Sequence, residues 1–102
     1  MNKTKDFAAA IRAKMAKDPA LAEAVEQATV DANIAAQIYR ARKAARISQA
    51  ELARRVGTTQ SVISRIEDAD YDGHSLTMLH RIAAALGQTL KVEFCGNATA
   101  AP

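Results

Sequence analysis

Twenty residues in the middle of the chain, SQAELARRVGTTQSVISRIE at 48–67, constrain its fold more tightly than any other stretch. Ser48 followed by Glu51 reads as a capping box, in which the hydroxyl caps a helix start and the carboxylate reaches back to the Ser48 amide. Gly57 ends that helix, because glycine enters the left-handed conformation of a tight exit without steric cost. Thr59, two residues later, is placed to cap a second helix running from Gln60 to about Asp68. The pattern predicts a helix, a tight turn and a helix. Leu52, Ala53, Val56, Ile63 and Ile66 fall where the two helices must touch each other and the rest of a core, and each is small or aliphatic. Ala53 matters because crossing helices joined by so short a turn leave little space at their closest approach.

The rest of the chain has to supply that core. At 102 residues there is room for one small domain and an appendage. Alanine accounts for 24 residues and aromatics for only 4%, so the interior is built from Ile, Leu and Val packed closely against small side chains, which favours helices. Phe7, Ile11 and Met15 recur at helical spacing and predict a helix over about 4–17. Asp18-Pro19 stops it and starts another, with Leu21 and Val25 on the apolar side. A third helix is expected over about 31–46, with Ile34, Ile38, Ala41 and Ala45 inward and an Arg-rich side outward. Ser75 is the expected cap of a last helix through Leu86, closed by Gly87, with Leu76, Leu79, Ile82, Ala83 and Leu86 buried. The period then becomes two: Leu90, Val92 and Phe94 alternate with Thr89, Lys91 and Glu93, which predicts a half-buried strand over 88–94. The tail beyond Cys95 is expected to fray.

The net charge of +3 is unevenly placed. Residues 1–39 hold five basic and five acidic side chains, whereas 40–94 hold nine basic and six acidic, the whole of the excess. Such a footprint suits a nucleic-acid binder, although a solvated surface can carry the same charge. The outward stripe of the second helix of the central pair consists of Gln60, Ser61, Ser64, Arg65 and Asp68. Gln pairs bidentately with adenine, Arg with guanine, and Ser with either donors or acceptors, so these types suit a major groove. Gln49, at the start of the first helix, would add its side chain and the helix's amides to a phosphate. The plainer reading of the stripe is an ordinary solvated face. The agreement of caps, turn glycine and buried positions with one DNA-binding geometry favours the former.

At these residues the chain resembles a known family. The stretch SQAELARRVGTTQSVISRIED is similar to a Cro/repressor-type (Xre) helix-turn-helix, and the wider stretch from Ile38 through RIAAALGQTLKVEF resembles the HigA-like antitoxin branch of that family. The resemblance covers residues 31–94. It implies an all-α, lambda-repressor-like bundle, here with an N-terminal helical extension and one C-terminal β-strand. It further implies a five-helix domain that dimerises, represses its own operon and neutralises a small basic RelE/HigB-like mRNA-cleaving toxin encoded alongside. Carried over by position, Gln60, Ser61, Ser64 and Arg65 face bases of double-stranded operator DNA and Gln49 faces a phosphate, with Thr59 completing the DNA-binding set. One departure stands out: many relatives leave the second helix through Glu-Asn-Gly, whereas here Glu67-Asp68-Ala69-Asp70-Tyr71-Asp72-Gly73 follows.

These readings divide the chain into an N-terminal helical extension at 1–30, the DNA-binding domain at 31–94 and a flexible tail at 95–102. A lone strand in a helical chain needs a partner, so it is expected to pair with its copy in a homodimer that buries Leu90, Val92 and Phe94. Phe7, Ile11, Met15, Leu21 and Val25 are the candidate toxin-binding residues. Intramolecular core and a membrane-surface helix are the other readings of the first three, and the lack of Lys or Trp enrichment disfavours the membrane. The alternative function is a stand-alone regulator without a toxin, its N-terminal helices serving dimerisation or a small signal.

Other chemistry finds less support. Asp68, Asp70, Asp72 and Gly73 match the opening of a calcium loop, but position 12, which needs a bidentate Glu, is Leu79; a surface turn is the commoner meaning, and a calcium-responsive module is the rival class. His74, His80, Ser75 and Cys95 show no base-orienter spacing and no oxyanion motif, so no enzyme, catalytic residue, metal or cofactor is expected. The first residues lack the apolar centre of a signal peptide and no run is long enough to span a bilayer, which points to the cytoplasm.

Overall fold

The computed structural model describes residues 3–71 and 74–96, which form five helices. Helix α1 (Lys3–Lys17) and α2 (Pro19–Ala45) make an N-terminal hairpin. Its corner is built as expected: the Asp18 carboxylate accepts the amides of Ala20 at 3.1 Å and Leu21 at 3.2 Å, with Pro19 in the first turn. The separate second and third helices expected from the sequence are a single helix of 27 residues. No glycine or proline interrupts residues 20–45, so nothing ends the earlier segment. The Thr29 hydroxyl donates to the Val25 carbonyl within the helix, and Asp31, the expected start of the third helix, is buried and accepts a bond from Gln27 one turn back. The boundary drawn at residue 30 therefore lies inside α2.

Helix α3 (Gln49–Val56) and α4 (Gln60–Glu67) follow the central pattern closely. Ser48 Oγ accepts the Glu51 amide at 3.0 Å, Thr59 Oγ1 accepts the Val62 amide at 3.3 Å, and Gly57 sits at φ 85°. Half of the capping box is absent, because the Glu51 carboxylate binds Arg54 and Arg55 rather than the Ser48 amide. Two guanidinium partners one turn away outcompete a single amide, and they hold the Glu51 carboxyl below its ordinary pKa, the Arg54 bond contributing most. Helix α5 (Leu76–Ala85) is capped by Ser75, whose Oγ accepts the Met78 amide at 3.0 Å.

Four helix exits share one construction. After α2, α3, α4 and α5 a residue enters the left-handed region, Arg46 at φ 59°, Gly57 at φ 85°, Ala69 at φ 57° and Gly87 at φ 69°. The amide after each reaches back to the helix: Ile47 to Arg42 O, Thr58 to Ala53 O at 2.9 Å, Asp70 to Arg65 O at 2.8 Å and Gln88 to Ala83 O at 2.8 Å. These are Schellman exits, and two of the four use glycine.

The core gathers Ile38, Leu52, Ala53, Val56, Ile63, Ile66, Ile82 and Leu86. Leu52, Ile63 and Ile66 are fully buried, as the sequence pattern requires. Leu79, Ala41 and Ile34 pack against this cluster while remaining partly exposed. Leu76, expected inside, is 62% exposed, because it lies in the first turn of α5 beyond the packed core; Ala45, in the last turn of α2, is exposed as well. The α1 helix packs on α2 and contributes nothing to the cluster. Ile11, Met15, Leu21 and Val25 are half-buried along that hairpin, while Phe7 is 68% exposed.

The expected strand is not formed. Residues 88–96 follow α5 without helix or strand, and among the described residues no other extended segment lies alongside to share a hydrogen-bond ladder. Leu90 is half-buried, Val92 is 60% exposed and Phe94 is fully exposed. The tail from residue 97 and the loop residues Asp72 and Gly73 lie outside the described residues. Among those described, no helix is long and apolar enough to cross a membrane.

Candidate nucleic-acid interface

The orientation of α4 is set by a buried ion pair that joins three helices. Arg42, near the end of α2, donates from Nε to Glu67 Oε2 at 2.7 Å and from Nη2 to Oε1 at 2.9 Å, while its Nη1 donates to the Ile47 carbonyl at 2.9 Å. Gln49 Nε2, at the start of α3, donates to the same Glu67 Oε1 at 3.1 Å. The Arg42 and Glu67 side chains are 9% and 3% exposed. Burial pushes the Glu67 carboxyl up, but the bonds from Arg42 and Gln49 and the charges of Arg42 and Lys43 overcome it and hold the pKa below its ordinary value. The Glu67 bond likewise raises the Arg42 pKa. This fork pins the last residue of α4 to the end of α2 and to the first residue of α3, so the angle at which α4 is presented is fixed at both ends, by the Gly57 turn and by the pair.

The sequence reading placed Arg42 on the outward, Arg-rich side of its helix, and the structure corrects it. The signal was present: Ile34, Ile38 and Arg42 stand four residues apart, which puts the arginine on the apolar stripe. Glu67 likewise follows Ile63 by four. A charged residue on a buried stripe calls for a partner of opposite sign, and pairing the two required knowing that α2 crosses α4.

The outward face of α4 carries the expected residues together. Gln60, Ser61, Ser64 and Arg65 line one shallow concavity, with Ser64 half-buried and the other three exposed. Thr59, also exposed, uses its hydroxyl to cap α4. Arg65 does not extend freely into solvent: its Nε donates to the Asp70 carbonyl at 3.2 Å and its guanidinium lies 5.5 Å from the centre of the Tyr71 ring. Gln49 has its amide nitrogen committed to Glu67, so its position at the start of α3 serves the framework of the site. The surface thus offers amide, hydroxyl and guanidinium groups on one exposed helix held by a rigid support. That arrangement can enter a groove and hydrogen-bond to base edges.

A family model described as helix-turn-helix matches residues 38–92, more than half of the chain. The chain belongs to the Cro/repressor-type helix-turn-helix family. No curated protein and no solved structure gave a match. In this helix-turn-helix domain α3 and α4 are the two helices of the motif and α4 is the recognition helix, which makes the protein a sequence-specific DNA-binding regulator.

The remaining candidates lie elsewhere. Leu90 and Val92 line a groove of about 970 Å³ between α2, α5 and residues 88–93, together with Val30, Ile34, Leu79 and polar side chains such as Gln37 and Arg40, while Phe94 is fully exposed and outside that lining. Phe7, Ile11, Met15, Leu21 and Val25 belong to the N-terminal hairpin. Ser75 is a helix cap, His80 is exposed, Cys95 is an exposed free thiol, and the His74 side chain is buried against Asp31.

Proposed function

We propose that the protein is a homodimeric operator-binding repressor and the antitoxin of a type II toxin-antitoxin pair, repressing its own operon and neutralising a small basic RelE/HigB-like mRNA interferase. The observation that carries the DNA reading is the grouping of Gln60, Ser61, Ser64 and Arg65 on the outward face of α4, whose last residue is fixed by the Arg42–Glu67 pair. Gln60 and Arg65 read base edges, the two serines add shorter bonds, and Thr59 sets the start of the helix. The exposure of Phe94 and of Val92, which lines a groove of mixed apolar and polar side chains, supports a twofold partner, which also suits recognition of paired half-sites.

The antitoxin role is supported by the N-terminal hairpin. Its first helix, α1, contributes nothing to the core, residues 1–39 are charge-balanced, and Phe7 stands exposed on α1. A second surface of this kind suits a protein partner by helix-in-groove contact. The deciding experiment takes any small basic open reading frame adjacent to the gene and expresses it alone and with this protein. Toxicity alone, rescue on co-expression and co-purification of the two chains are the expected results. Deleting residues 1–17, which leaves Asp18 to cap α2, is expected to abolish rescue while operator affinity stays within a few-fold. A harmless neighbour that does not co-purify leaves a stand-alone regulator.

A further inference from the structure

We propose that Tyr71 is a positioning residue for Arg65, holding its guanidinium ready for a base edge, and that it is itself seated through His74 on Asp31 of α2. The proposal rests on the reading of Arg65 as a base-contacting residue. The loop after α4 is where this chain departs from the Glu-Asn-Gly exit of many relatives, and the departure brings an aromatic ring to the recognition helix. The Schellman exit at Ala69 turns the chain so that the Asp70 carbonyl faces back to Arg65 Nε at 3.2 Å. The following residue, Tyr71, places its ring 5.5 Å from the same guanidinium.

Tyr71 has support on its far side. It packs against the core, and its ring centre lies 5.4 Å from that of His74 at an interplanar angle of 42°. The His74 side chain is 6% exposed, with Nε2 3.5 Å from Asp31 Oδ1, and that oxygen also accepts the Gln27 amide at 3.0 Å. A line of contacts therefore runs from Asp31 of α2 through the buried His74 side chain and the half-buried Tyr71 to the exposed guanidinium of Arg65.

An arginine side chain has four rotatable bonds, and a free one loses that freedom when it binds. Here the Nε bond fixes the plane of the fork and the Tyr71 face holds it, while the Nη groups remain available as donors. The freedom is lost in the free protein, so binding to the right base is strengthened relative to the wrong one.

The test compares wild type, Tyr71→Leu, Tyr71→Phe, Arg65→Ala and the Tyr71→Leu/Arg65→Ala double variant. Each is titrated with a duplex that the wild-type protein selects from a randomised pool and with a scrambled duplex of the same composition. Leucine keeps apolar bulk against the core and removes the π face; phenylalanine keeps the face. Tyr71→Leu is expected to lower the preference for the selected duplex about five-fold per half-site, Tyr71→Phe to retain it, and Tyr71→Leu to add nothing once Arg65 is alanine. In the free protein, ¹⁵N relaxation of the Arg65 Nε–H is expected to show order in wild type and Tyr71→Phe and its loss in Tyr71→Leu. An unchanged preference in Tyr71→Leu beside a lowered one in Arg65→Ala overturns the positioning role, as does a full additional loss in the double variant. An unchanged preference in Arg65→Ala overturns the base-reading assignment itself, and the positioning proposal with it.

Discussion

Glu67 is the residue on which the recognition helix depends. Its carboxylate is almost fully buried and, among the described residues, is the one acidic partner of Arg42, so Glu67→Gln leaves a buried guanidinium without its counter-charge. A loss of about 3–5 kcal/mol is expected, a large part of the ~5–15 kcal/mol that holds a domain together. The pKa of Glu67 is lowered by folding, so its contribution is complete above the ordinary carboxylate pKa of about 4.3 and disappears as pH falls through the lower folded value. Thermal melts of wild type and Glu67→Gln should differ widely at pH 7 and converge on acidification below about pH 4. A constant gap across that range would contradict the ion pair. The left-handed residues provide a second test at the same scale. Ala69 occupies a conformation that costs an L side chain about 1 kcal/mol, so Ala69→Gly should raise stability by about that amount. Gly87→Ala should lower it similarly, since a Cβ there meets nothing within 4 Å and only the backbone conformation is strained. Urea titrations of both variants read these opposite signs.

At the scale of elements, the two short helices α3 and α4 are held by the residues between and beneath them. Ile66 is fully buried with Leu52 and Ile63, and Ile66→Ala is expected to destabilise the domain by about 2–5 kcal/mol through lost burial and a cavity. The urea midpoint should fall without a change in slope, and DNA affinity measured well below that midpoint should stay near wild type. Arg65 on the opposite side of the same helix behaves in the reverse sense, affecting binding and leaving the melt unchanged. Much of this element-level plan is legible from the residues. Ser48, Thr59 and Ser75 cap the helices expected of them, and Gly57 takes its positive φ, because a cap or an exit is decided by groups within one turn of each other. The single long α2 is legible only when the absence of any breaker between Pro19 and Ala45 is given more weight than the attraction of Asp31 as a helix start.

At the scale of the whole molecule, the features left open are surfaces. The groove beside α2 and α5 and the exposed Val92 and Phe94 await a partner in the proposed homodimer, and the same residues carry the period-two pattern that predicts a strand. A chain ending after Gly87 should sediment as a monomer where the full chain sediments as a dimer. Since the whole of α5 is retained, the truncated chain should keep its helical circular dichroism. A dimer that survives truncation would place the interface elsewhere.

The sequence by itself determined the helix pair, its caps and the Gly57 exit between them, the inward set of Leu52, Val56, Ile63 and Ile66, and the outward set from Gln60 to Arg65. Each of these depends on side chains within a few positions of one another, and helical periodicity sorts them without knowledge of the rest of the chain. Tertiary structure decided what spans greater distances. Arg42 and Glu67 are 25 positions apart, and only the crossing of α2 over α4 turns two charged residues into a buried fork. Gln49, placed at a helix start where a phosphate contact was expected, is drawn into that fork by Glu67. His74, a loop residue in the sequence, becomes buried because the loop folds back on Asp31. Residues 88–94 alternate as a strand does, yet remain without a ladder within the chain, since a strand is completed by a neighbouring backbone and alternation alone does not supply one.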